Sequence, residues 1–294
     1  MRNSSTVFIL VTAVLISTGS DYQARSQTAS SDHTDTDYHR LVILNAPFPG
    51  VDQTIGYGIN NLGIIVGYYH DADGPHGFLL DHDTFTRLNA PFPGALNTIA
   101  FGVNDESDIV GDYTSNSLTH SFLLHHGVYT SFDYPSPTVS QTAARGINDR
   151  SQIVGEYLDA SGNHGFLLDR GRFTALNASF PGASNTTANA INNLGDIVGA
   201  YTGSDGLIHG FLERNDHYTA LDMPGATETQ PYGINDLDEI VGDSFLYRHE
   251  TFSPLSDLNP SLVPGSTGLA INDRGEILAD SPSYPNSGIL LLPE

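Results

Sequence analysis

The chain has no cysteine and no lysine among its 294 residues. Without thiols there is no disulfide framework, no thiolate metal site and no cysteine nucleophile. That absence does not place the protein in the cytoplasm, because a large closed core can dispense with covalent staples. All 11 basic residues are arginines, set against 34 acidic residues, for a net charge of −23. Such a chain repels phosphate backbones and anionic bilayers, which argues against nucleic acid as a partner. The charge reads first as a solvated acidic surface and second as an array of cation sites. Long apolar runs are missing as well: residues 7–16 form a run too short to cross a bilayer. With Arg2 before it and Ser17-Thr18-Gly19-Ser20 after it, this run reads as an export signal over 1–20, the alternative being an uncleaved anchor. The expected location is therefore secreted, extracellular or periplasmic, with no membrane span in the mature chain. Residues 21–37, rich in Ser, Thr, Asp and Gln, read as a flexible leader.

Helical periodicity is absent after residue 20. What recurs instead is an Asn that follows Ile or Val, at Asn60, Asn104, Asn148, Asn192, Asn235 and Asn272, with spacings of 44, 44, 44, 43 and 37. A fixed period of that size signals a repeat architecture. In the second repeat, β-rich runs at 98–104, 108–113, 120–124 and 128–133 are separated by turn residues. Four short antiparallel strands in about 44 residues is the size of one β-propeller blade. Asn tolerates left-handed backbone and bonds its own turn, so the Asn row reads as a folding device between the first two strands of each repeat.

The chain ends predict how the ring closes. The last repeat has three strands, at 269–272, 276–279 and 289–292, and stops without a fourth. Residues 41–50 align with 85–94, a fourth strand and the loop after it. An N-terminal strand completing the C-terminal blade leaves no open edge. The expectation is all-β: a six-bladed β-propeller of four-stranded antiparallel blades over 38–294, with no second domain.

The string Gly-Ile-Asn-x-x-x-x-Ile-Val-Gly-x-Tyr, then His-Gly-Phe-Leu-Leu, then Pro-Gly-Ala, resembles the HAF repeat family of predicted extracellular repeat proteins. Its triplet stands here at His76-Gly77-Phe78, His120-Ser121-Phe122, His164-Gly165-Phe166 and His209-Gly210-Phe211. The fifth repeat has Asp243-Ser244-Phe245 and the sixth Ser287-Gly288-Ile289, so both lack the histidine. The resemblance covers 38–294 and implies a secreted propeller; the family carries no established activity, so it assigns no catalytic residue. The first hairpin of each repeat also resembles NHL-repeat hairpins, which build six-bladed propellers.

In such a meander the long loops between the second and third strands, such as 71–76, share one end with the loops that join repeats, such as 90–95. Function in repeat folds concentrates on the long-loop face. There the row His76, His120, His164 and His209 suggests a metal ring, but third strands lie too far from the axis to share one ion. A local pair such as Asp159 with His164 lacks a third ligand. These histidines therefore read as structural, bonding a loop carbonyl or carboxylate. Oxygen ligands abound, so calcium is the cation the composition would admit. The Asp-rich turns, such as 235–239, lack EF-hand spacing and read as exposed polar turns. No metal or other cofactor is expected. Ser and His are plentiful but show no triad order, phosphate loop or nucleophile elbow.

Three residues before each Asn stand Tyr57, Phe101, Arg145, Asn189, Tyr232 and Leu269. Their neighbours Gly58, Gly102, Gly146, Ala190, Gly233 and Ala270 are nearly uniform and let the repeats approach closely at the axis. The varied column reads either as tolerant packing or as an aromatic and Arg-lined channel mouth for a sugar or an acidic group. Two functions follow. One is a secreted, non-enzymatic module binding a protein or glycan. The other is a lyase or hydrolase at the channel mouth, with Arg145 polarising an anion and Tyr57 or Tyr232 as acid/base. An axis plugged by Tyr57, Phe101 and Tyr232 would exclude the second.

Overall fold

The computed structural model describes residues 26–27, 38 and 40–293. The export signal expected over 1–20 lies outside the described residues, as does most of 21–37. Ser26–Gln27 pairs antiparallel with Val42 and Leu41.

From the first repeat onward, alternating residues and tight turns lay down antiparallel strands in order from the inside out. The first sheet runs Gln53–Ile59, Ile65–Asp71, Gly74–Asp81 and Thr84–Leu88. The fourth and fifth repeats make separate four-stranded sheets of the same order, starting at Ser184–Ile191 and Pro231–Ile234. The last repeat supplies Thr267–Ile271, Ile277–Asp280 and Gly288–Leu292; Arg40–Leu44 then pairs along Gly288–Leu292, from Arg40 opposite Leu292 to Leu44 opposite Gly288. The N-terminal strand thus completes the C-terminal sheet and closes a β-propeller arrangement. Its sheets are not the expected six separate ones. The second and third repeats share one eight-stranded sheet, because Gln141 at the start of one inner strand makes a single parallel rung with Thr119 of the repeat before.

The core lies between sheets. Val66 of the first repeat clusters with Phe122 of the second, Val110 with Phe166, Val154 with Phe211, Val198 with Phe245, and Leu278 of the last with Phe78 of the first. Each of these side chains is fully buried, and burying one stabilises by about 1.5–3 kcal/mol. Near the axis the approach is closer still: a Cβ on Gly58 would stand 2.5 Å from the Phe101 carbonyl oxygen.

Buried asparagines tie the ring together. Each Nδ2 donates to the backbone carbonyl of the next: Asn60 to Asn104, then Asn148, Asn192, Asn235 and Asn272, which donates back to Asn60. Meanwhile each Oδ1 accepts from its own turn, as in Asn148, which takes the N–H of Arg150 and of Gln152 at 3.0 Å each. The left-handed residue is not the Asn but the third one after it: Gly63, Ser107, Ser151, Gly195, Asp238 and Gly275. The Asn bonds its own turn as expected; it does not take the positive φ, and its amide also reaches the next repeat.

The residue after each Asn forms a second closed ring. The backbone N–H of Asn61, Asp105, Asp149, Asn193, Asp236 and Asp273 each donates to the side-chain oxygen of its successor, over 2.7–2.8 Å. Turns expected to be merely exposed and polar are therefore an interlocking belt. Among the described residues no helix is long and apolar enough to cross a membrane.

Candidate functional site

Every inner strand carries a β-bulge at the varied column. Gly56 pairs with Gly67 and Gly58 with Val66, leaving Tyr57 as the extra residue. The same shift isolates Phe101, Arg145, Asn189, Tyr232 and Leu269. A bulge re-aims the unpaired side chain and releases it from the ladder's packing demands. That is why this column varies while its neighbours do not.

The six side chains converge on one cavity of about 520 Å3 at the long-loop end of the axis, joined there by Glu156, Asn163, Thr187, Gln230, Asp243, Thr267 and Asp280. The axis is therefore not plugged at this end. Deeper in, it narrows to a space of about 80 Å3 lined by the small residues and by Ile59, Val103 and their counterparts. Sequence reasoning found one ring of side chains and missed a second, nearer the mouth. The residue eight after each Asn, on the second strand or, for Asp243, just past it, is Tyr68, Asp112, Glu156, Ala200, Asp243 or Asp280. Four acids in one column, each following the buried Val-Gly or Leu-Ala pair, was the available signal.

One wall of the cavity is continuous. Tyr68 stacks on Tyr57 at 5.8 Å between centroids, Tyr57 lies 4.9 Å from Phe101, and the Arg145 guanidinium sits 4.2 Å over the Phe101 ring. Arg145 Nη2 also donates to Glu156 Oε1 at 2.7 Å. Burial works against the Arg145 charge, but Glu156 and Asp112 outweigh it and hold the guanidinium protonated. Behind this wall Asp112 is 8% exposed. Burial pushes its carboxyl up to about 6, with Arg145 opposing and Glu156 adding to the rise.

The facing wall has no arginine. Tyr232 hydrogen-bonds Asp243, and burial raises both groups. Asp280 is raised by burial too, against a hydrogen bond from the Ser281 N–H. Tyr57 is pushed up to about 12, first by burial and then by Tyr68 and Asp280, with Arg145 opposing. Asn189 is tied to the neighbouring repeat through Nδ2 to the Pro231 carbonyl at 2.7 Å.

The histidine row lies away from this cavity. His76, His120, His164 and His209 each stack on a second-strand tyrosine, at 5.1–5.4 Å from Tyr69, Tyr113, Tyr157 and Tyr201. Each Nδ1 meets the residue just after the fourth strand: Asn89, Asp133, Asn177 or Asp222, at 2.8–3.2 Å. The four rings thus brace loops, repeat by repeat, and do not come together. Among the described residues no group of three or more His, Cys, Asp or Glu side chains is placed to hold a metal ion.

No family model matches the chain, and no curated relative matches it. Solved structures do share its fold. It is similar to AofleA of Arthrobotrys oligospora, at 14% identity over 88% of this chain and 87% of that one, with a TM-score of 0.51. TolB of Acinetobacter baumannii matches at 13% over 88% of this chain and 61% of that one, TM-score 0.51. A gluconolactonase of Xanthomonas campestris matches at 10% over 87% and 89%, TM-score 0.50. At these identities the likeness concerns the fold alone.

Proposed function

We propose that the chain is a secreted, HAF-type repeat propeller of six blades that binds a saccharide in the wide mouth of its channel. The carrying observation is the cavity of about 520 Å3 with Tyr57 and Phe101 on one wall and Tyr232 on the other, ringed by amides and carboxylates. Sugars present apolar C–H faces that rest on aromatic rings, and hydroxyls that bond Asn, Gln, Asp and Glu; a pocket of this size and mix is suited to them. The concave shape favours a small, inserted ligand over a flat protein surface. The blade count is supported by the six-membered Asn ring, with the shared eight-stranded sheet counted as two blades joined by one rung.

An enzymatic reading of the same mouth is less well served. Its anion-polarising group, Arg145, already holds Glu156, and a new anion would compete with that carboxylate. A tyrosine pushed up to about 12, as Tyr57 is, makes a poor base at neutral pH.

Titration calorimetry against a panel of neutral and charged oligosaccharides tests the proposal. Tyr57→Ala and Tyr232→Ala are each expected to weaken the bound glycan by about tenfold or more. A panel with no binder, or a binder indifferent to both substitutions, would overturn it.

A further inference from the structure

Resting on that saccharide reading, we infer that the ligand is cationic, an amino sugar whose ammonium group sits against Asp243 and Asp280.

The charges lining the cavity do not balance, and the imbalance has a side. In the ring ordered by the asparagines, the second and third repeats (Asn104, Asn148) lie opposite the fifth and sixth (Asn235, Asn272). On the first of these sides Arg145 is engaged by Glu156 at 2.7 Å, and its flat face is covered by Phe101 at 4.2 Å. On the other side Asp243 and Asp280 line the same cavity. Their partners are a phenol and a backbone N–H, Tyr232 and Ser281. Neither is a cation. Two carboxylates brought into a partly desolvated site without a counter-charge are costly, and burial accordingly raises the affinity of both for a proton. An ammonium ion supplies the missing charge and hydrogen-bonds carboxylates strongly. Tyr57 and Tyr68 approach Asp280 closely enough to feel its charge. Aromatic faces beside carboxylates make a combination that attracts ammonium groups.

Neutral polar side chains complete the lining. Thr187, Gln230 and Asn163 stand around the same cavity without bringing a charge of their own, and hydroxyl and amide groups of this kind suit sugar hydroxyls. The arrangement therefore offers a cation seat on one side and hydroxyl partners between. An anionic saccharide would meet Asp243 and Asp280 without compensation, since the only arginine on the lining is already bonded to Glu156.

The test uses the full chain and three probes: a short β-linked glucosamine oligomer, its N-acetylated counterpart, and a galacturonate oligomer of equal length, titrated near neutral pH by calorimetry. Glucosamine is expected to bind about tenfold or more tighter than the acetylated form. Asp243→Asn and Asp280→Asn should each bring the two toward parity by weakening the glucosamine oligomer more than the acetylated one. The overall charge of −23 attracts any cation weakly, so Asp83→Asn, an exposed site outside the cavity, serves as control and should keep the preference. Equal affinities, a uronate preference, or a glucosamine preference that Asp83→Asn reduces as much as Asp243→Asn and Asp280→Asn do would overturn the charge assignment and leave the saccharide reading standing. Binding of none of the three, together with an empty neutral panel, would remove that reading itself.

Discussion

Asn272 donates its side-chain amide to the backbone carbonyl of Asn60 over 2.9 Å, across 212 positions of chain. The same side chain accepts the N–H of Arg274 and of Glu276 through Oδ1. One residue thus caps its own turn and ties the last repeat to the first. Asn272→Ala strips both functions inside a buried site, and each orphaned group there costs about 1–3 kcal/mol. The expected loss, read by urea unfolding, is about 2–4 kcal/mol. Asn272→Asp keeps the acceptor but points a carboxylate at the Asn60 carbonyl. It should not rescue at neutral pH, and an Asp variant as stable as wild type would refute the two-sided role.

Close approach at the axis is graded. At Gly58 a Cβ would stand 2.5 Å from the Phe101 carbonyl oxygen, whereas at Gly146 the nearest atom is the Ala190 Cα at 3.1 Å. Two equivalent positions, Ala190 and Ala270, carry the methyl already. Gly58→Ala should therefore be the harsher substitution, by about 1–3 kcal/mol relative to Gly146→Ala, as expected for overpacking against backbone. Thermal unfolding of the two variants side by side decides the point; equal losses would mean the sheets shift freely at the axis.

Much of this was readable beforehand. A 44-residue period and a surplus N-terminal strand at 41–50 predicted the closure that Arg40–Leu44 makes with Gly288–Leu292. The varied column, Tyr57 to Leu269, was visible because its neighbours were uniform. The bulge that frees those side chains was not visible, since one skipped residue leaves no compositional trace. The acidic column was present in the letters at Asp112, Glu156, Asp243 and Asp280. Knowing that it faces the axis, however, requires the register that the bulge sets. Nor could one parallel rung, Gln141 with Thr119, be foreseen: it depends on how closely the start of an inner strand happens to lie to the third strand of the repeat before.

His209 couples stability to pH through the loop it braces. Its Nε2 lies 3.2 Å from Asp205 Oδ1 and its Nδ1 3.2 Å from Asp222 Oδ1. The hydrogen bond with Asp205 raises its affinity for a proton above the ordinary 6.5, burial opposes, and Asp222 adds to the rise. A raised folded value means the stabilisation is in full force below 6.5 and is lost as pH climbs through the folded value. His209→Gln should therefore lower the melting temperature at mildly acidic pH and leave it nearly unchanged in alkaline buffer. A deficit that grows with pH would have the sign reversed and exclude the ion-pair account.

Asp112 works in the opposite functional setting but with the same arithmetic. Burial raises its carboxyl from 3.8 to about 6, the attraction of Arg145 notwithstanding. Below 3.8 the group is protonated whether the chain is folded or not, so it contributes nothing to the difference between wild type and an uncharged variant. As pH rises through about 6 the folded protein must accept a buried carboxylate, and stability is lost. Asp112→Asn never takes on that charge, while Arg145 keeps Glu156 at 2.7 Å as its partner. The variant should match wild type near pH 4 and exceed it at neutral pH by on the order of 2–3 kcal/mol, measured as unfolding free energy in urea. A variant less stable than wild type at neutral pH would show that Asp112 is retained for its pairing with Arg145, and that the guanidinium over Phe101 needs both carboxylates to stay in place.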